Sequence, residues 1–409
     1  MAVLEEGTKP QSGQASDRHA PRRHLGAYLT AAVLLTALGR MVIVWIYYDF
    51  DYVHTEAEDF LKALYDPRVI LEPELFSPYV WAFTVALLAT GLVAALNRRA
   101  GRGAALLCGF VMFATAAREL IGLATSDQFR QWYIGGNDLE VAIITSWAMV
   151  LLFSATVVVL MLRAGDRPAA GAAGMPARGS QLYVIAGGLM VVLGLALVGW
   201  IVRMLTREGV DKGAYFKGLV DAGENPYPAL AGSGEFWSAV FPVALLVLGV
   251  LALMRRPVVR GASITLLGVL LYLYVRQMIG MTISDYPNDV ADGNRIPFPG
   301  WDVYTEDTEG WLNLATYVGG ALIAVAVIAM MLRAPEPAAG ASVPPVAGGN
   351  VPPQPMAQPA PQAQPTAQPH YDASPQPPYD ATPQAPTIAA PPPPAAPPPA
   401  PPAGPPPAG

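Results

Sequence analysis

Charged residues are scarce in this chain. Asp, Glu, Lys and Arg together make up 14% of its 409 residues, whereas hydrophobic residues make up 53%. A soluble domain rarely combines so few charges with so many Leu, Val, Ala and Ile residues. The composition therefore argues against a soluble protein and favours one that lies in a membrane.

Cysteine and histidine are also nearly absent. The single cysteine, Cys108, lies inside an apolar run, which excludes a disulfide framework, a zinc site or a CxxCH haem attachment within one chain. No histidine lies inside an apolar run, which excludes paired histidine ligands to a membrane-embedded haem. We therefore expect no cofactor. The four histidines are His19, His24, His54 and His370.

Catalytic motifs are missing too. The sequence has no GxSxG, Walker A or HExxH motif and no paired carboxylates of the kind that hydrolases use. Its basic segments are short and scattered, unlike the continuous basic surfaces that bind nucleic acid. We therefore expect a protein that is not an enzyme and does not bind nucleic acid.

Long apolar runs are what the sequence does contain. A helix needs about 20 apolar residues to cross a bilayer core of roughly 30 Å. A helix also forms all of its backbone hydrogen bonds within its own segment, which an open strand in lipid does not. Eight such runs predict an all-α integral membrane protein with eight transmembrane helices. They cover residues 27–47, 78–97, 104–124, 140–162, 182–203, 236–254, 261–281 and 311–332.

Basic residues in short connections predict the orientation. Arginines lie in NRRAGRG (97–103), in MRRPVVR (254–260) and in the linker 164–180, and short basic segments remain on the cytoplasmic side. The polar segment 1–25 has no cleavable apolar region and belongs on the same side. We expect both termini in the cytoplasm of a bacterium and the spans in its plasma (inner) membrane.

One phrase occurs twice in the chain. ARELIGLATSD (117–127) returns as VRQMIGMTISD (275–285), and the loop sequence FLKALYD (60–66) returns as YFKGLVD (215–221). These matches keep a separation of about 155–158 residues. They predict two parallel four-helix units, 26–163 and 181–333. Trp45 also matches Trp200, and Lys62 matches Lys217.

The carboxy-terminal segment 334–409 has a different composition. Pro, Ala, Gln and Gly dominate it, which predicts a disordered, polyproline-rich cytoplasmic tail. YDASPQP (371–377) is echoed by YDATPQA (379–385). The echo indicates either a docking or phosphorylation segment for a cytoplasmic partner or mere compositional drift. Its candidate residues are Tyr371, Ser374, Tyr379 and Thr382.

Four arginines lie deep in the spans or at their outer ends. Arg40, Arg118, Arg203 and Arg276 are costly there unless they reach a partner or an interface. We expect them to have a structural role, in ion pairs or with carbonyls of a neighbouring helix, or to contact a lipid phosphate or another anion. The candidate pair partners are Glu119, Asp127 and Asp285.

We expect no metal site, although one outer loop offers oxygen ligands. Asp285, Asp289 and Asp292 lie in DYPNDVADGN, and carboxylates suit Ca²⁺, but their spacing does not follow the EF-hand pattern. The loop is interpreted first as an ordinary solvated acidic segment.

Three functions remain open on this sequence. The first is a non-enzymatic accessory or scaffold subunit of a bacterial membrane assembly, with the lipid bilayer and other membrane proteins as its partners. The second is a transporter, or a lipid- or anion-handling permease, that uses the arginines. The third is a membrane sensor whose tail gives the output.

Overall fold

The computed structural model describes eight stretches of the chain, and these stretches are helical with short turns and contain no strand. They belong to one compact unit within Met1–Pro345. The described residues are 24–53, 56–67, 78–96, 99–134, 140–164, 177–224, 234–283 and 301–334.

Eight long helices are apolar enough to cross a membrane, which confirms the eight predicted spans and a multi-pass membrane protein. Their ends differ from the apolar runs because polar residues continue several helices beyond the hydrocarbon length; the seventh helical element, for instance, begins inside the predicted linker. The long helices are α1 Leu25–Val53, α3 Pro78–Ala95, α4 Arg99–Thr125, α6 Glu140–Arg163, α7 Ala177–Leu205, α9 Gly234–Leu253, α10 Val259–Ile283 and α12 Thr308–Arg333.

Four short helices lie in the connections between long ones, where the sequence predicted loops. They all lie at one end of the helix bundle, which we call the short-helix end. A 3₁₀ turn, Ala222–Glu224, follows the third of them. The short helices are α2 Ala57–Tyr65, α5 Asp127–Ile134, α8 Lys212–Gly218 and α11 Trp301–Glu306.

The long helices pack in two similar groups. In the first group α1 packs against α3 and α6, and α4 packs against the same two helices. In the second group α7 and α10 both pack against α9 and α12. The groups meet chiefly where α4 lies against α10, so these two helices form the centre of the bundle.

Two glycines let the central helices touch through their backbones. A Cβ atom on Gly103 would lie 1.8 Å from the carbonyl oxygen of Val258, and one on Gly261 would lie 1.8 Å from that of Ala100. Small residues at such crossings allow close van der Waals packing, which holds helices together in a bilayer. The crossing therefore requires glycine on both helices.

An aromatic cluster joins the two groups toward the short-helix end, away from this crossing. Tyr79 stacks on Trp237 with ring centroids 5.9 Å apart, and Phe83 lies 4.7 Å from the same indole. Phe83 and Phe241 are nearly parallel at 6.4 Å. Large buried rings contribute much of the apolar packing energy of such a contact.

At the end of the bundle opposite the short helices, two arginines bind the last turns of long helices. Arg102 Nε donates to the carbonyl of Met161 at 2.8 Å, and Arg260 Nη2 donates to that of Leu332 at 3.1 Å. These acceptors lie in the last turns of α6 and α12, where carbonyls lack helical partners and cations are favoured.

Candidate functional site

Arg118 lies in α4 and is 5% exposed. Its Nε donates to the carbonyl oxygen of Gly218 at 2.8 Å, and its Nη1 donates to Glu119 Oε1 at 2.9 Å. The guanidinium carbon lies 5.5 Å from the centre of the Phe236 ring. The arginine is thus held by a carbonyl, a carboxylate and an aromatic face, all within the protein.

Arg276 lies in α10 and has a similar role. Its Nε donates to the carbonyl of Ala63 at 3.1 Å, and its Nη2 to that of Asp66 at 3.3 Å. The neighbouring Tyr272 hydroxyl donates to the carbonyl of Leu64 at 2.7 Å. These contacts hold the carboxy-terminal end of α2.

The two contacts are reciprocal between the helix groups. Arg118 belongs to the first group and binds the end of α8, which connects helices of the second group. Arg276 belongs to the second group and binds the end of α2, which connects helices of the first. The sequence match of Lys62 with Lys217 also makes the two acceptors, Ala63 and Gly218, equivalent positions. We call these contacts the two arginine clamps.

The clamps use the electrostatics of helix ends. The last carbonyls of a helix have no intrahelical donor, and the helix dipole places partial negative charge there. A guanidinium is a strong, directional donor to such groups. Each clamp therefore satisfies an arginine and a helix terminus together, the arginine being buried in the first clamp and partly buried in the second.

The clamps differ at one neighbouring residue. Glu119 follows Arg118 and is 1% exposed, and among the described residues its Oε2 atom has no hydrogen-bond partner. The corresponding residue beside Arg276 is Gln277, whose Nε2 donates to the Tyr304 hydroxyl at 3.4 Å. The ion pair between the neighbouring residues Arg118 and Glu119 therefore has no counterpart at Gln277.

Further bonds fasten the end of α4 beside the first clamp. The Thr125 hydroxyl donates to Asp221 Oδ2 at 2.8 Å, and Asp221 Oδ1 accepts from the backbone N–H of Gly223 at 2.9 Å. A Cβ on Gly122 would lie 2.7 Å from the same nitrogen, so α4 and the 3₁₀ turn are in close contact. The α8 region is thus attached to α4 at more than one point.

Arg203 has a different environment from the clamped arginines. It forms an exposed ion pair with Glu309, the second residue of α12, and Arg207 binds the same carboxylate. Of the predicted partners, Asp127 pairs with Arg130 at 3.4 Å and not with a clamped arginine. Asp285 lies outside the described residues.

Arg40 is exposed on the surface of α1. It forms no hydrogen bond or ion pair in the part of the chain that the structure describes. The four predicted arginines therefore do not form one site: two are clamps, one is in an exposed ion pair and Arg40 stands apart.

The other predicted candidates lie outside the described residues. They are the loop residues Asp285, Asp289 and Asp292 and the tail residues Tyr371, Ser374, Tyr379 and Thr382. Within the described stretches, no group of three His, Cys, Asp or Glu residues is placed to hold a metal ion.

Carbonyls of a neighbouring helix were one expected kind of partner, but every residue that the sequence singled out as a partner was a carboxylate. Gly218, Ala63 and Asp66 act through backbone carbonyls, which every residue has. The matched segments FLKALYD and YFKGLVD did indicate short helices at these positions, since apolar residues recur in both at helical spacing.

No protein-family model, curated protein or solved structure matches this chain.

Proposed function

We propose that the protein is a non-enzymatic scaffold or accessory subunit of a membrane assembly. The supporting observation is that Arg118 and Arg276, the most deeply placed charges of α4 and α10, bind carbonyls of the protein's own short helices. These two arginines serve the architecture of the bundle and of its short-helix end. A rigid, shaped membrane surface is what an accessory subunit contributes to its partners.

The same contacts argue against the anion permease. An anion site in a bilayer needs donors that remain free to meet the ligand. Arg118 gives its Nε and Nη1 to the protein, and Glu119 places a negative charge beside it. Arg203 already shares Glu309 with Arg207.

We further propose that the two helix groups arose by duplication, with both termini in the cytoplasm and the short-helix end outside. Equivalent contacts support the duplication. Trp45 Nε1 donates to the Ser146 hydroxyl at 3.2 Å, and Trp200 Nε1 donates to the Thr316 hydroxyl at 3.0 Å. The basic connections support the orientation. The Pro-rich tail is then a cytoplasmic arm of the scaffold.

Affinity purification in a mild detergent tests the scaffold, using full-length protein and a form that ends after Arg333. We expect both forms to recover the same membrane proteins, because the helices present the assembly surface. Loss of partners from the truncated form would show that the tail, and not the helices, is the docking surface. Recovery of no protein by either form would overturn the proposal.

A further inference from the structure

Arg40 is a charged residue on an otherwise apolar side of α1. The outward side of α1 carries apolar residues at helical spacing: Leu29, Val33, Val44 and Tyr47 are all exposed. Arg40 lies on this same stripe and is exposed between Val33 and Val44. The structure thus places an arginine that has no partner among the described residues in a row of side chains that suit lipid.

The second helix group has an apolar residue at the same place. The match of Trp45 with Trp200 aligns Arg40 with Leu195 of α7, and Leu195 is 56% exposed. Leucine is the ordinary residue for a lipid-facing position. Arginine is costly at a lipid-facing position inside a span, so a compensating contact is required.

The headgroups are poorly placed to supply that contact. Arg40 precedes the end of its span at Tyr47 by about seven residues, or roughly 10 Å at 1.5 Å per residue. Side chains of a helix lean toward its amino terminus, which for α1 is the farther end of the span. The Arg40 side chain therefore leans away from the nearer lipid headgroups.

A second copy of the chain is also poorly suited to supply a carboxylate that pairs with Arg40. The eight spans contain two carboxylates, Glu119 and Glu309. Glu119 is buried against Arg118, and Glu309 is shared by Arg203 and Arg207. Neither is free to meet an arginine on another molecule.

We propose that the outward face of α1 around Arg40 binds a transmembrane helix of a different membrane protein, one that carries an aspartate or glutamate at matching depth. The apolar stripe supplies the packing surface, and the ion pair fixes the depth and rotation of the partner. This inference rests on the proposed scaffold function and specifies the chemistry of one docking surface.

A designed single-span peptide is the probe. The full-length protein is reconstituted in phosphatidylcholine vesicles with a fluorescent Leu/Ala peptide that carries one Glu about 10 Å from the interface. A peptide with Leu at that position is the control. We expect energy transfer to show about tenfold tighter association of the Glu peptide, because polar contacts between membrane helices contribute about 1–2 kcal/mol.

Two substitutions assign the effect to this position. Arg40→Leu copies the residue of the second group, suits a lipid-facing site and should abolish the preference for Glu. Leu195→Arg should create a second site and double the number of peptides bound per protein. No preference for the Glu peptide, or an equal preference in Arg40→Leu, would overturn the proposal.

The alternative occupants give different outcomes. Suppression of the preference by phosphatidylglycerol would identify lipid as the ligand, and Arg40-dependent energy transfer between two labelled copies would identify self-association. Either result overturns the proposal. The peptide assay is also separate from the purification above, so recovery of partners with no preference for Glu defeats this inference and leaves the scaffold in place.

Discussion

A buried arginine is tolerated in the bilayer when several protein groups bind it at once. Arg118 has a carbonyl, a carboxylate and a ring around it, although Glu119 is its immediate neighbour in sequence. Adjacent residues of a helix do not normally face each other. The length of the arginine side chain lets it turn back to Glu119 while it reaches Gly218.

Arg118→Leu should lower stability by about 3–5 kcal/mol, because it leaves the Glu119 carboxylate buried without a counter-charge. Thermal unfolding in detergent, followed by size-exclusion chromatography, measures the effect. Glu119→Gln copies the Gln277 arrangement and is expected to be mild. The double variant should be more stable than Arg118→Leu alone. An unchanged unfolding temperature in Arg118→Leu would refute this role.

At the scale of helices, the central crossing is determined by the absence of side chains. The carbonyl of Val258 contacts Gly103, and that of Ala100 contacts Gly261. The helices α4 and α10 therefore approach closely at the end of the bundle opposite the short helices. Toward the short-helix end, each central helix instead carries an arginine that holds the other group's short helix. The same pair of helices thus makes the main contact between the groups at both ends.

Gly261→Ala should destabilise the bundle by about 1–3 kcal/mol, since the new methyl group would overlap the Ala100 carbonyl. Gly268→Ala lies in the same helix, has no atom within 4 Å of the new Cβ and serves as the control. Alanine there should be neutral or stabilising, as expected for a helix interior. Equal unfolding temperatures for the two variants would contradict the close crossing.

At the scale of the whole molecule, the helix groups hold each other. Each arginine clamp crosses from one group to the other, and the aromatic cluster of Tyr79, Phe83, Trp237 and Phe241 lies between them. Neither short helix would keep its arginine partner if the groups separated. We therefore expect the groups to unfold together.

Cutting the chain inside 165–176 tests this interdependence. The two pieces, expressed from separate genes, should associate and purify together, because the contacts between the groups do not need the linker. As a control, the cut protein carrying Arg118→Leu and Arg276→Leu should yield markedly less complex. Two pieces that are each stable and do not associate would show that the groups are independent.

Sequence alone predicted the elements that follow from composition and length. The eight spans could be predicted because each is long and apolar enough to cross a bilayer. Carbonyls of a neighbouring helix were an expected kind of partner for Arg118 and Arg276, but the sequence could not identify which ones, because every residue has a backbone carbonyl. Asp127 was a reasonable candidate by charge, yet it lies within reach of Arg130 one turn along α5. Carboxylates identify possible partners, while packing decides which of them is in range.

The difference between Arg40 and Leu195 has a consequence for stoichiometry. An assembly of two identical four-helix chains would present the same arginine on both of its sides, and two-sided contacts can extend into open chains. In this chain the position equivalent to Arg40 in the second helix group is Leu195. With the docking surface proposed above, the chain would bind one acidic partner, so it would end a row of subunits and not propagate one.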